Sequence, residues 1–145
     1  MAPRFYSKEW VEAVKQKANS DPEYLKKTKG FTTKFLFVVT DCPDGNDVKC
    51  LWEYNQGKVT RYEYTTKKAP SDMRIGKEKW DESISLIKTQ VSYAVFAKVQ
   101  KREMTALGAI GAKLWNVEGD MIKAMAYQAY TTVITDLSAT IPCEY

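Results

Sequence analysis

Side chains able to act as nucleophiles or to bind transition metals are few: three cysteines, Cys42, Cys50 and Cys143, and no histidine. Without an imidazole, the chain lacks the commonest general base, the usual activator of a Ser or Cys nucleophile and the commonest transition-metal ligand. Cys42 and Cys50 lie too far apart for the two-residue gap of a zinc knuckle, and Cys143 is remote from both. An odd number of cysteines fits reduced thiols better than a disulfide framework. Cys42 carries the most chemical promise. It follows an apolar run and precedes Pro43-Asp44-Gly45, where a turn could expose the thiol and neighbouring N–H groups could lower its pKa.

The carboxylates point to little more. Asp41, Asp44 and Asp47 surround Gly45 as in a calcium loop, but the Glu that closes an EF-hand is missing, and the same residues make an ordinary solvated hairpin tip. Glu53, Glu63 and Glu118 could serve as acids or bases only if withdrawn from solvent, which strand carboxylates seldom are. Gly108, Gly111 and Gly119 do not spell a phosphate-binding loop. In KVTRYEYTTKK, Arg61, Tyr62 and Tyr64 alternate with lysines as in single-strand binders. The RNP consensus is absent and the charges do not cluster, so cross-strand aromatic packing accounts for them and no nucleic-acid partner is expected. No catalytic residue, metal site or cofactor is assigned, and the chain reads as a non-enzyme.

The elements that must hold these residues follow from periodicity. Ser7 can cap a helix carrying Trp10, Val11, Val14 and Ala18, and Asp21-Pro22 opens another that closes at Gly30. FTTKFLFVVTD, VKCLWEYN and KVTRYEYTT, separated by CPDGND and Gln56-Gly57, predict a three-stranded antiparallel meander over residues 31 to 66. MRIG reads as a short edge strand. From Lys77 the apolar spacing lengthens to about 3.6, with Trp80, Ile84, Ile87, Val91, Ala94 and Val95 on one side. This predicts a helix over 78 to 101, either continuous or interrupted near Thr89-Gln90. Leu86, Tyr93 and Phe96 fall on its other side. EMTALGAI can form one or two turns, AKLWNVE a last strand, and Asp120 caps a helix over 120 to 137. In that helix Ile122, Ala126, Ala129, Val133 and Leu137 form a seam, widened by Met125, Tyr127, Tyr130 and Ile134. The arc exceeds the ~100° of an ordinary surface helix, so something broad must cover it.

At 145 residues the chain fits one α+β domain, 1–145, of about five mostly antiparallel strands with helices on one face. Four Trp, nine Tyr, five Phe and five Met are a large apolar inventory, while 28% charged residues keep the composition that of a soluble protein. No run approaches the ~18 apolar residues of a membrane span. MAPRFYSKEW lacks the apolar core of a signal peptide, so a cytoplasmic location is expected. The net charge of +4 is scattered, compatible with a transient membrane-surface contact and nothing more specific.

GKVTRYEYTT, the segment from Trp80 and above all MTALGAIGAKLWNVEGDMIKAM resemble the sterol carrier protein type 2 family. Ala106, Gly111, Leu114, Val117, Gly119 and Asp120 match its "A…G.L.V.GD" segment. The likeness spans about residues 31 to 137, through loose motifs of small and apolar residues. It implies an apolar tunnel between sheet and helices that binds a fatty acid, acyl-CoA or sterol-like or isoprenoid lipid without chemistry. Phe35, Phe37, Trp52, Trp80, Met104, Leu107, Trp115, Met121, Met125 and Ala129 are the expected ligand-binding residues, because aromatics wall cavities and Met repacks around irregular apolar shapes. Two departures stand out. Val91 to Met104 looks longer than the family's connection, and Pro142-Cys143-Glu144-Tyr145 is not a peroxisomal tripeptide. The competing reading is a homodimeric structural or regulatory protein with Leu86, Tyr93 and Phe96 at the interface, or an accessory subunit of a lipid-related enzyme.

Overall fold

β-branched and aromatic runs build one open sheet. The computed structural model describes residues 2–145. Strands β1 (Thr33–Thr40), β2 (Asn46–Asn55) and β3 (Lys58–Lys68) form the expected antiparallel meander. Strands β4 (Ile87–Ser92) and β5 (Trp115–Gly119) complete the order β3-β2-β1-β4-β5. The sheet is mixed: β4 runs parallel to β1, and the other three pairings are antiparallel. Helices α1 (Lys8–Ser20), α2 (Pro22–Lys27), α3 (Tyr93–Gln100), α4 (Ala106–Gly111), α5 (Met121–Ala126) and α6 (Gln128–Ala139) fill the remaining positions.

The register sorts the side chains into two faces. Phe35, Phe37 and Val39 align with Ile87, Thr89 and Val91 of β4, and with Trp52, Cys50 and Val48 of β2; Trp115 and Val117 extend this face across β5. The helices cover this face. Ser7 caps α1 by accepting from Trp10 N at 3.2 Å, and α1 buries Trp10, Val11, Val14 and Ala18 as its spacing requires. Asn19 fixes α1 to the sheet edge, since its amide both donates to Val59 O and accepts from Val59 N, each at 2.9 Å. Tyr62 and Tyr64 are structural: their hydroxyls donate to Glu12 at 2.7 Å and to the Tyr6 carbonyl at 2.8 Å.

The other face lies under the irregular segment 69–86. Met73 is fully buried, Lys88 Nζ donates to the Glu78 carbonyl at 2.6 Å, and Gln90 Oε1 accepts from Ile75 N at 2.6 Å. Asp47 anchors this cover. Its carboxylate accepts from Arg74 Nε at 2.8 Å and from Ser71 N and Oγ at 2.9 and 2.7 Å. Arg74 also reaches Asp41 at 3.0 Å, and Asp44 pairs with Arg4 at 3.3 Å. Asp47 is therefore a buried anchor rather than part of a solvated tip, whereas Asp41 and Asp44 stay exposed while paired with Arg74 and Arg4, and the MRIG segment is a turn tied down by Arg74 instead of a strand.

The helix expected from Lys77 does not form. Residues 77–86 are turns and loop, Ile87–Ser92 is β4, and only Tyr93–Gln100 is helical. The spacing Trp80, Ile84, Ile87, Val91 mimics a helix, but Ile87, Thr89 and Val91 also alternate with period two, and pairing with β1 decides between the two. Ser92 then caps α3, accepting from Val95 N at 3.2 Å. Tyr93 and Phe96, assigned to an outer interface, are buried in the core at 7% and 8% exposure, because α3 turns them under the sheet. The C-terminal helix is broken at Tyr127 into α5 and α6.

Candidate functional site

Between the helix-covered face of the sheet and helices α3 to α6 lies a cavity of about 520 Å³. The sheet contributes Phe35, Phe37, Trp52, Tyr54, Ile87, Thr89, Trp115 and Val117; α1 adds Trp10 and Val14, and Tyr6 precedes it. From the helical side come Phe96 and Val99 of α3, Met104, Leu107 and Ile110 around α4, Ala124 and Met125 of α5, and Ile134 of α6. Its entrance is lined by Leu107, Met121 and Met125, which are 53%, 38% and 54% exposed.

The inner aromatics are held firmly. Trp52 Nε1 donates to the Tyr6 hydroxyl at 3.0 Å; Phe37 stacks on Phe96 with centroids 6.0 Å apart, and Phe96 packs against Trp115 at 5.2 Å. Such aromatic pairs prefer offset or edge contacts and fix the wall they form. Gln100 Nε2 donates to Ser138 Oγ at 3.0 Å, joining α3 to α6 within the lining. Burial raises the Tyr6 and Tyr54 hydroxyls well above the ordinary phenol range, so both face the cavity protonated and neutral.

Of the ten residues expected to bind a ligand, eight line this cavity: Phe35, Phe37, Trp52, Met104, Leu107, Trp115, Met121 and Met125. Trp80 does not. It lies beside Gly119, and its indole donates to the Ser85 carbonyl at 2.9 Å. Ala129 is exposed and also lies away from the cavity, because the break at Tyr127 turns α6 so that Gln128, Thr131, Thr132, Thr135 and Ser138 line it instead. That polar line has a helical spacing legible in the sequence. A search for apolar seams passes over it.

The chemical candidates lie elsewhere. Burial pushes the Cys42 thiol up to about 12, with Asp44, Asp47 and Asp41 adding to the rise and Arg4 opposing it; its sulfur points to the Val39 carbonyl. A reactive thiol needs the opposite environment. Glu53 pairs with Arg61 at 2.7 Å, Glu63 contacts the same guanidinium, and Glu118 lies on the sheet's other face opposite Lys88. Among the described residues the only charged one in the cavity lining is Arg102, whose guanidinium bonds the Asp136 carboxylate. Among the described residues no group of His, Cys, Asp or Glu could hold a metal ion, and no helix is long and apolar enough to cross a membrane.

No protein-family model and no curated protein sequence matches the chain. Solved structures do. A crystal structure of sterol carrier protein 2 superposes with a TM-score of 0.72 at 13% identity, covering 96% of this chain and all of the other. A conserved hypothetical protein from Thermus thermophilus gives 0.72 at 13% identity over 97% and 92%. The sterol carrier protein domain 2 of Helicoverpa armigera gives 0.52 at 14% identity over 94% and 91%. At these identities the likeness is one of fold. Gly119 (φ +124°) lets β5 close on β4, where a Cβ would lie 2.5 Å from Leu86 O, and Asp120 caps α5 by accepting from Lys123 N at 3.0 Å. The chain has the α+β fold of sterol carrier protein 2.

Proposed function

We propose that this chain is, over residues 1–145, a cytoplasmic, non-catalytic lipid-binding domain that holds a hydrophobic ligand such as a fatty acid, an acyl-CoA or a sterol-like or isoprenoid lipid, and passes it between surfaces. The observation that carries the reading is the cavity of about 520 Å³ walled by Phe35, Phe37, Trp52 and Trp115. Binding sites for small molecules of drug size fall in the ~300–1,000 Å³ range and are mostly apolar. Among the described residues its lining holds no thiol, carboxylate or lysine, which supports binding without chemistry. Burying roughly 300 Å² of apolar ligand surface at ~25 cal/mol per Å² is worth about 7 kcal/mol before ordering costs, enough for weak to moderate affinity. The buried, unpaired Cys42 and Cys50 support a reducing compartment.

Exposed Leu107, Leu114, Met121, Ile122 and Met125 on α4, α5 and the turn before β5 favour a second role for the same region, a transient contact with a membrane surface or a second copy of the chain. Delipidated protein is titrated with C12 to C18 fatty acids, acyl-CoA, a sterol and an isoprenoid while tryptophan fluorescence is followed. Trp10, Trp52 and Trp115 line the cavity, so a bound ligand changes their emission in a saturable way. A flat response to every ligand excludes the lipid-binding reading. Native mass spectrometry then separates a lipid adduct from a ligand-free dimer.

A further inference from the structure

A simple hydrocarbon tunnel does not need the face that α6 presents to it. Gln128, Thr131, Thr132, Thr135 and Ser138 all line the cavity, and their spacing puts one polar line along the helix. The hydroxyl protons are already committed. Thr131 and Thr132 donate to the Gln128 carbonyl at 3.0 and 2.9 Å, Thr135 to the Thr131 carbonyl at 2.9 Å, and Ser138 to the Thr135 carbonyl at 2.9 Å. A hydroxyl that gives its proton to a backbone carbonyl keeps its lone pairs, so this face offers the cavity hydrogen-bond acceptors.

The sheet side offers no counterpart: Trp115 Nε1 and Thr89 Oγ1 have no hydrogen-bond partner among the described residues, but both atoms are closed off from the cavity as well as from solvent. Among the described residues the lining holds one charged group, the Arg102 guanidinium paired with Asp136, and the α6 face adds neutral acceptors to it.

Resting on the lipid-binding reading above, we propose that the Thr131–Thr135 face of α6 is the specificity-determining element of the cavity, selecting uncharged lipids that carry hydroxyl groups over carboxylates and over lipids unable to donate a hydrogen bond. A hydroxyl can donate to the lone pairs that the α6 hydroxyls keep free. A carboxylate can only accept, would face the threonine lone pairs, and finds no unpaired cation among the described lining residues.

The test compares 1-hexadecanol, hexadecyl methyl ether and hexadecanoate, with cholesterol and its methyl ether as a rigid pair, by tryptophan fluorescence on the wild-type chain and on Thr131→Val/Thr135→Val. Valine keeps the branched shape and removes the oxygens. In the skeleton that enters the cavity, the alcohol is expected to bind about five- to tenfold more tightly than its ether, as one net hydrogen bond provides. It is also expected to exceed hexadecanoate, and the alcohol-to-ether ratio is expected to fall to about one in the double variant. Equal binding of alcohol and ether to the wild-type chain, tighter binding of hexadecanoate, or a ratio untouched by the two valines would overturn the proposal while leaving lipid binding in place. The wild-type comparison decides even if the variant misfolds. No binding of any probe overturns this proposal together with the lipid-binding reading.

Discussion

A Cβ on Gly119 would lie 2.5 Å from the carbonyl oxygen of Leu86 and 2.9 Å from the Ile87 Cα. Backbone cannot yield as a side chain does, and φ of +124° is a conformation that L side chains rarely adopt. Gly119→Ala is therefore expected to destabilise the fold by about 3 kcal/mol. Gly111→Ala is the control, because a Cβ there meets nothing within 4 Å. Urea unfolding should separate the two clearly. Equal midpoints would mean that β5 can part from β4 at little cost.

The anchor at Asp47 gives a pH dependence. Burial by itself would raise its pKa, but hydrogen bonds from Arg74, Ser71 and the Asp41 N–H outweigh burial and hold the carboxyl well below the usual range. A carboxyl with a depressed folded-state pKa contributes stability that is full above the unfolded value of about 3.9 and is lost as pH falls below it. Asp47→Asn is expected to cost about 3 kcal/mol near neutral pH, the lower end for breaking a buried pair. That difference should shrink progressively below about pH 4. Denaturant titrations of both proteins across this range check it, and a constant difference would remove Asp47 as the source.

Met125 lines the cavity near its entrance, whereas Lys123 lies outside the lining. Met125→Asp places an unpaired carboxylate against an apolar ligand and is expected to weaken lipid binding by about tenfold, with Lys123→Ala nearly neutral. The comparison is read from fluorescence titrations on variants with unchanged circular dichroism. Similar losses in both would show that the ligand does not reach Met125.

The thiols should divide by burial. Cys42 is pushed up to about 12 and Cys50 is raised further, both chiefly through burial, while Cys143 is partly exposed. In native protein near pH 8, only Cys143 is expected to react quickly with a thiol reagent, and the other two only on unfolding. Intact mass after incubation with acyl-CoA should show no acyl adduct on Cys42. An adduct that turns over and vanishes in Cys42→Ser would replace the binding reading with an enzymatic one.

Local chemistry by itself determined the N-terminal helix, the meander and the caps at Ser7, Asp21 and Asp120, because each depends on neighbours within a few positions, whereas the eight expected residues that line the cavity followed from the family resemblance. Tertiary structure alone decided the rest. Whether Ile87–Ser92 is helix or strand depends on a parallel partner, β1, about fifty residues earlier, and a period of 3.6 or of two fits the same apolar spacing. The packing of α3 beneath the sheet carried Tyr93 and Phe96 from a supposed interface into the core. The break at Tyr127 rotated α6 so that Ala129 faces outward and the threonines line the cavity, a change no local preference encodes. Asp47 shows the same limit: its residue type and place suit a hairpin tip, and only the return of Arg74 across the sheet makes it a buried anchor.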